Sequence, residues 1–374
     1  ELSALSCFVD VTKRTLLELL TFADAVAVTE FSHEKLFKLL DMYECLHHLI
    51  PAIRSLFEQQ EDCSTGARVS GTTVGLVGPH AYMATEASET LARLGTAARI
   101  TFSGFETMVL RHDDPSKMAL SDRGRLRLVE YVMNYLRFLS DFMNTMNQLL
   151  WERKDDQTAN MSSISGASSS GQPRNDIEGN QDFKPLSLSM FRLMEALEKK
   201  LDAKSKLYKD LGLSCLFLMN HLHYIGQKVK NSDMRKLLGD EWIKRNNVKL
   251  KQYHTTYRKT WVNIVTFLKE DGLNISRGST NIDNSTRNLI KDKFKAFNAA
   301  FEENLRTHSG LLVSDHQLCV ELTISVTAMI LPAYRSFHGR FHNHLDMVKH
   351  KEKYIKYTPE DLESHLSNLF EKAS

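Results

Sequence analysis

This sequence predicts an all-α protein, and three observations carry the prediction. Apolar residues recur every three or four positions along nearly all of its 374 residues, the spacing that gathers them on one helix face. No stretch sustains the apolar-polar alternation of a half-buried strand. Only seven prolines interrupt the chain, and a content of 42% hydrophobic and 25% charged residues is enough to fill more than one core.

The first helix takes its stripe from Leu2, Leu5, Val9, Leu16, Leu20 and Ala23, and the second from Leu36, Leu39, Tyr43, Leu46, Ile50 and Ile53. Ser32 stands where a hydroxyl can accept the free amides of the second helix, so a helical hairpin is expected. Gln60 to Pro79 carries Gly66, Gly71, Gly75 and Gly78 and reads as a loop. A third helix is predicted from about Tyr82 to Leu110 and a fourth from about Asp122 to Trp151. Glu152 to Phe183 then loses the apolar pattern, with six serines among the nine residues Ser162 to Ser170, and is expected to be disordered.

The longest stripe follows, from Met190 through Leu201, Tyr208 and Leu211 to Val229. Unbroken, it implies about forty helical residues, roughly 60 Å of helix. Glu241 to Lys269, Thr286 to Arg306 and Asp315 to Ser336 supply neighbours. Thr358, with Pro359, Glu360 and Asp361 behind it, is a capped start for a terminal helix reaching Phe370. Long helices in series predict an elongated rod of stacked antiparallel helical bundles. The expected divisions are bundles over residues 1–150, a serine-rich loop over 151–184, a middle bundle over 185–309 and a basic terminal bundle over 310–374.

Charge is unevenly spread. Residues 1–62 hold 11 acids against 5 bases, whereas Lys228 to Lys259 hold ten bases against three acids. Arg335 to Lys356 hold six bases (Arg335, Arg340, Lys349, Lys351, Lys353 and Lys356) against Asp346 and Glu352. The last four lysines fall close together beside Tyr354 and Tyr357. Clustered bases gain about 1 kcal/mol each near an anionic bilayer, and aromatic rings suit headgroup depth. Nucleic acid is disfavoured, because the isoelectric point is only about 8.2 and no RNA- or DNA-reading motif is present.

Signs of catalysis are lacking. No phosphate-cradling G-x-x-x-x-G-K-S/T exists, and Ser168, Ser169 and Ser170 have neither a strand before them nor an ordered base. His338, His342 and His344 lack the carboxylate of a metal triad, and His221 and His223 read as core or rim residues. The five cysteines form no C-x-x-C pair, so no disulfide framework, metal or cofactor is expected, and a reducing, cytoplasmic setting fits. The richest apolar run, Leu211 to Met219, falls short of the roughly 20 residues that cross a bilayer. The opening Glu1 reads as the edge of a trimmed fragment.

Several blocks are familiar in combination. They include Phe217 to Asn220 with His223 to Ile225 and Gln227 to Val229; Gly239 to Trp242; Phe297 and Asn298 with Phe301 to Glu303; Leu331 to Phe337; and Lys353 to Tyr357 through Asp361 to Glu363. With Lys35 to Tyr43 and Tyr131 to Tyr135, they span nearly the whole chain. Their joint order resembles the seventy-kilodalton subunit of the exocyst vesicle-tethering complex, in its plant form.

That resemblance implies a cullin-repeat-like rod without enzymatic activity. It also implies a role in tethering secretory vesicles, other exocyst subunits as partners, and recruitment to the inner face of the plasma membrane. A basic surface would bind phosphatidylinositol 4,5-bisphosphate, with Lys353 and Lys356 in the position of the family's lipid-contacting pair. Lys349, Lys351, Arg335 and Arg340 join them by proximity in sequence. Small GTPases or pathogen effectors are further candidate partners. An alternative reading is an adaptor that receives a partner's apolar side chains in a groove between bundles. Two segments depart from the family pattern: Asp122 to Glu130, which lacks its Gly-Gly-x-His-Pro-Leu-Thr-Arg lead, and Leu311 to Cys319.

Overall fold

In a computed structural model, the described backbone comprises residues 2–58, 79–121, 124–162, 184–271, 273, 282–309, 312–345 and 350–370. Side chains are described in these stretches except at 2–10, 56–58, 79–81 and 153–162. The described residues are helical and contain no strand, only one antiparallel bridge, Leu120 to Leu126. By contact the chain divides into two compact units, Glu1–Arg111 with Tyr135–Ala196, and His112–Asn134 with Leu197–Ser374.

In the first unit, α1 (Leu2–Val28), α2 (Lys35–Glu58) and α3 (Pro79–Leu110) form the frame. The expected α1–α2 hairpin is not the main pairing, because both helices lay their apolar faces chiefly on α3. Leu36, Leu39 and Leu40 of α2 and Met83, Ala87, Leu94, Phe102 and Phe105 of α3 are fully or almost fully buried. Ser32 does not cap α2 as expected; its hydroxyl donates to Glu34, 2.5 Å away. Lys35 instead closes the end of α1, donating to the carbonyls of Ala27 and Thr29 at 2.9 and 2.8 Å.

The single helix expected over Asp122 to Trp151 is two, α4 (Arg127–Asp141) and α5 (Met143–Ser162), with a turn at Phe142. α5 carries helix past Trp151 to Ser162, where a loop was expected; 163–183, with Ser168, Ser169 and Ser170, lie outside the described residues. The forty-residue helix is likewise two, α6 (Pro185–Ser205) and α7 (Leu211–Lys230). The break is made by Asp210, in extended conformation, whose carboxylate accepts from the Leu213 amide at 2.8 Å.

In the second unit α7 is buried on most sides, as a central helix should be, and packs mainly on α8 (Met234–Thr266). α8 kinks at Gly239, whose φ of 76° suits glycine, so its regular part starts near the predicted Glu241. α9 (Asn284–His308), α10 (His316–Phe341) and α11 (Pro359–Ser367) complete the unit.

The stretch His316–Leu345 is long and apolar enough by helix length and composition to cross a membrane, although no unbroken apolar run in the sequence is that long. Its Leu318, Leu322, Val326, Ile330, Tyr334, Phe337 and Phe341 are buried, as in a core helix. No disulfide joins the described cysteines Cys45, Cys215 and Cys319.

Residues 124–130 and 312–315 come together in this unit. Arg125 reaches Ser314, and it holds Glu130 at 3.0 Å while its guanidinium lies 4.4 Å from the Tyr224 ring centre. Asn220 donates to the carbonyl of Leu312 at 3.2 Å. Gly124 adopts a φ of +69°, and a Cβ there would stand 2.9 Å from the same Leu312 oxygen. His221, fully buried, accepts from the Leu126 amide through Nε2 at 2.8 Å and donates from Nδ1 to Phe217 O at 2.7 Å. These two bonds select the neutral ring, and burial pushes its pKa down to about 4.

Candidate lipid-binding surface

The surface is built on α9. Asp283 starts the helix by accepting from the Thr286 amide at 3.2 Å. Ile290, Phe294, Phe297 and Phe301 form its buried stripe, with Phe297 stacked on Tyr334 at 4.8 Å. One residue further round the helix runs a second stripe, Lys291, Lys295, Asn298 and Glu302, at the spacing that keeps side chains in line.

This second stripe holds the segment leading to α11. Asn298 donates to the Tyr354 carbonyl at 2.8 Å, and the Tyr334 hydroxyl donates to the Tyr357 carbonyl at 2.6 Å. Beyond them, Thr358 and Asp361 exchange the bonds of a capping box with Pro359 in the first turn, as the sequence predicted. The backbone of 354–357 is therefore held at both ends. The Tyr354 ring centre lies 5.5 Å from Lys291 Nζ and 5.1 Å from Lys295 Nζ.

The lysines singled out from the sequence lie along this segment. Lys353 is exposed and has no ion pair among the described residues. Lys356 is 52% exposed, but its Nζ donates to Glu302 Oε1 at 2.6 Å, and the Tyr357 hydroxyl donates to the same oxygen at 3.0 Å. Lys356, then Tyr357, holds the Glu302 carboxyl below its usual range. Burial, helped by Glu302, pushes the Tyr357 phenol up to about 12. Lys351 is exposed in a short 3-10 turn, and Lys349 lies outside the described residues.

The arginines are used differently. Arg335 pairs with Glu363 of α11 at 2.7 Å, and Arg340, half-buried, pairs with Glu270. They link α10 to its neighbours, whereas Lys353 and Lys356 lie on the segment whose Tyr354 ring Lys291 and Lys295 approach. Sequence reasoning missed Lys291 and Lys295, although their four-residue spacing on a predicted helix was a visible signal.

His338 and His342 stack in parallel 4.9 Å apart, burial pushes the His338 pKa down, and no cluster of three metal-ligating side chains occurs among the described residues. His223, largely buried, stands 3.5 Å from Asp315. Glu303 pairs with Arg306, and Asp361 caps its helix.

Comparison with known proteins decides the family. The family described as the C-terminal part of Exo70, an exocyst complex component, matches residues 2–368. The chain belongs to the Exo70 family. It is similar to the exocyst complex component EXO70B1 of Arabidopsis thaliana, 38% identical over 97% of this chain and 51% of that one. It is also similar to EXO70A1 of Arabidopsis thaliana, 35% identical over 98% of this chain and 52% of that one, and to EXO70C1 of the same plant, 34% identical over 94% and 49%. The chain thus spans about half the length of these Exo70 relatives.

Proposed function

We propose that this Exo70 chain works in the exocyst as a non-catalytic membrane tether. In this reading it helps hold secretory vesicles at the inner face of the plasma membrane by docking on phosphatidylinositol 4,5-bisphosphate. The carrying observation is that Lys291 and Lys295 of α9 approach the ring of Tyr354, which stands on the segment that also carries Lys353 and Lys356 and whose carbonyl accepts from Asn298. Such a patch offers several ammonium groups to a polyvalent phosphate, with an aromatic ring at headgroup depth. Family membership supports the other exocyst subunits as partners and a cytoplasmic complex that is recruited to the membrane.

The test is sedimentation with vesicles containing phosphatidylinositol 4,5-bisphosphate, with K353E/K356E as the variant. Reversing two charges should weaken binding at least about tenfold, and raised salt should weaken the wild type similarly. Unchanged binding in a folded variant would refute membrane docking at this end.

A second reading, protein adaptor, draws on a groove inside the first unit. Ala27, Val28, Phe31 and Ile100 line a recess of about 410 Å³, rimmed by Asp24, Arg93 and Lys35. Phe31 and Ile100 are exposed there, the kind of side chain that a partner's aliphatic or aromatic anchor covers. A partner, an effector or small GTPase among them, whose capture is lost in F31S but kept in K353E/K356E would favour it.

A further inference from the structure

We infer that Glu302 acts as a built-in competitor for the lipid phosphates, holding Lys356 until a polyvalent headgroup displaces it and so tuning the surface toward phosphoinositides over singly charged lipids. This inference rests on the docking reading above. The α9 stripe changes sign along its length: Lys291 and Lys295 add charge beside Tyr354, whereas Glu302 cancels the charge of Lys356. The ion pair is open to solvent, with 52% and 41% of its two side chains exposed, so an incoming phosphate can reach the ammonium without unfolding anything.

Carboxylate and phosphate make the same kind of charge-assisted bond to an ammonium. A phosphate monoester carries about two negative charges and three acceptor oxygens, and neighbouring lysines reinforce it. A phosphatidylserine headgroup brings only a single net charge to the exchange, so the standing carboxylate penalises it more. No bond to Tyr354 or Asn298 need change, because the exchange moves only the ends of Lys356 and Glu302 while the Tyr354 carbonyl stays fixed.

The experiment compares wild type, E302Q and E303Q on two kinds of vesicle of equal total charge, one with phosphatidylinositol 4,5-bisphosphate and one with phosphatidylserine. Glu303 removes the same charge one residue away, where its partner is Arg306 at 2.7 Å. Glutamine at 302 keeps an oxygen for the Tyr357 hydroxyl, and a melting curve checks that the fold is retained. E302Q should bind phosphatidylserine vesicles about two- to fivefold more tightly than E303Q does, the range set by an exposed ion pair. Its preference for the phosphoinositide should fall by a similar factor. In a K356Q background the E302Q gain should vanish.

Equal behaviour of E302Q and E303Q, or a gain that survives K356Q, would overturn the competitor role while leaving docking intact. Loss of lipid dependence in wild type, or full binding by K353E/K356E, would overturn docking itself.

Discussion

Lys291 and Lys295 lie far from the C-terminal lysine cluster in sequence, so replacing both with glutamine tests whether the surface is assembled in three dimensions. Each ammonium lies within 5.5 Å of the Tyr354 ring centre, so both sit over the same segment that carries Lys353. A base at an anionic bilayer contributes about 1 kcal/mol, so losing two removes about 2 kcal/mol, or roughly thirtyfold in partition. Lys291 is only half-exposed, and salt at cell strength screens charges over about 8 Å, which lowers the expectation to about tenfold. Glutamine retains the aliphatic stem, so packing against Tyr354 and the stability of α9 should change little. Vesicle sedimentation at fixed salt, with phosphatidylinositol 4,5-bisphosphate present or absent, reads the effect. Binding within twofold of wild type, with K353E/K356E inactive, would refute the claim that α9 shares in the surface and return the function to the tail alone.

Two further predictions concern stability. His221 is held neutral, with its pKa pushed down to about 4 from 6.5, so the unfolded chain binds its proton first as pH falls. Stability should therefore drop between about pH 6.5 and 4, by up to about 3 kcal/mol from this group, and denaturant midpoints for H221Q should show a shallower decline. Gly124→Ala puts a Cβ 2.9 Å from Leu312 O at a φ of +69°, and should destabilise by about 1–3 kcal/mol. An unchanged urea midpoint would show that the backbone at Gly124 can relax away from Leu312.

Helix identity was legible because burial imposes a spacing of three to four residues wherever a helix lies on a core, and α3, α7, α9 and α10 appeared where the stripes ran. Breaks were not legible in the same way. The stripe from Met190 to Val229 stays in phase in the sequence, yet α6 ends at Ser205, Asp210 in extended conformation begins α7 with its bond to Leu213, and Leu211 at the join is exposed. Thr358 could be read locally, since a capping box is made by residues three apart. Ser32 could not, because whether its oxygen meets a helix amide depends on how the chain enters α2, and its recorded bond is instead a donation to Glu34.

For the candidate surface, the sequence by itself determined that positive charge collects near the C-terminus, that Tyr354 and Tyr357 accompany it, and which family the pattern resembles. Charge counting depends only on composition, so it needs no coordinates. Tertiary structure decided which charges act together. It drew Arg335 to Glu363 and Arg340 to Glu270, set Lys356 against Glu302, and brought Lys291 and Lys295 to Tyr354. The physical reason is range: ion pairs and cation–aromatic contacts act over a few ångströms, and only the folded chain sets separations that small between residues distant in sequence.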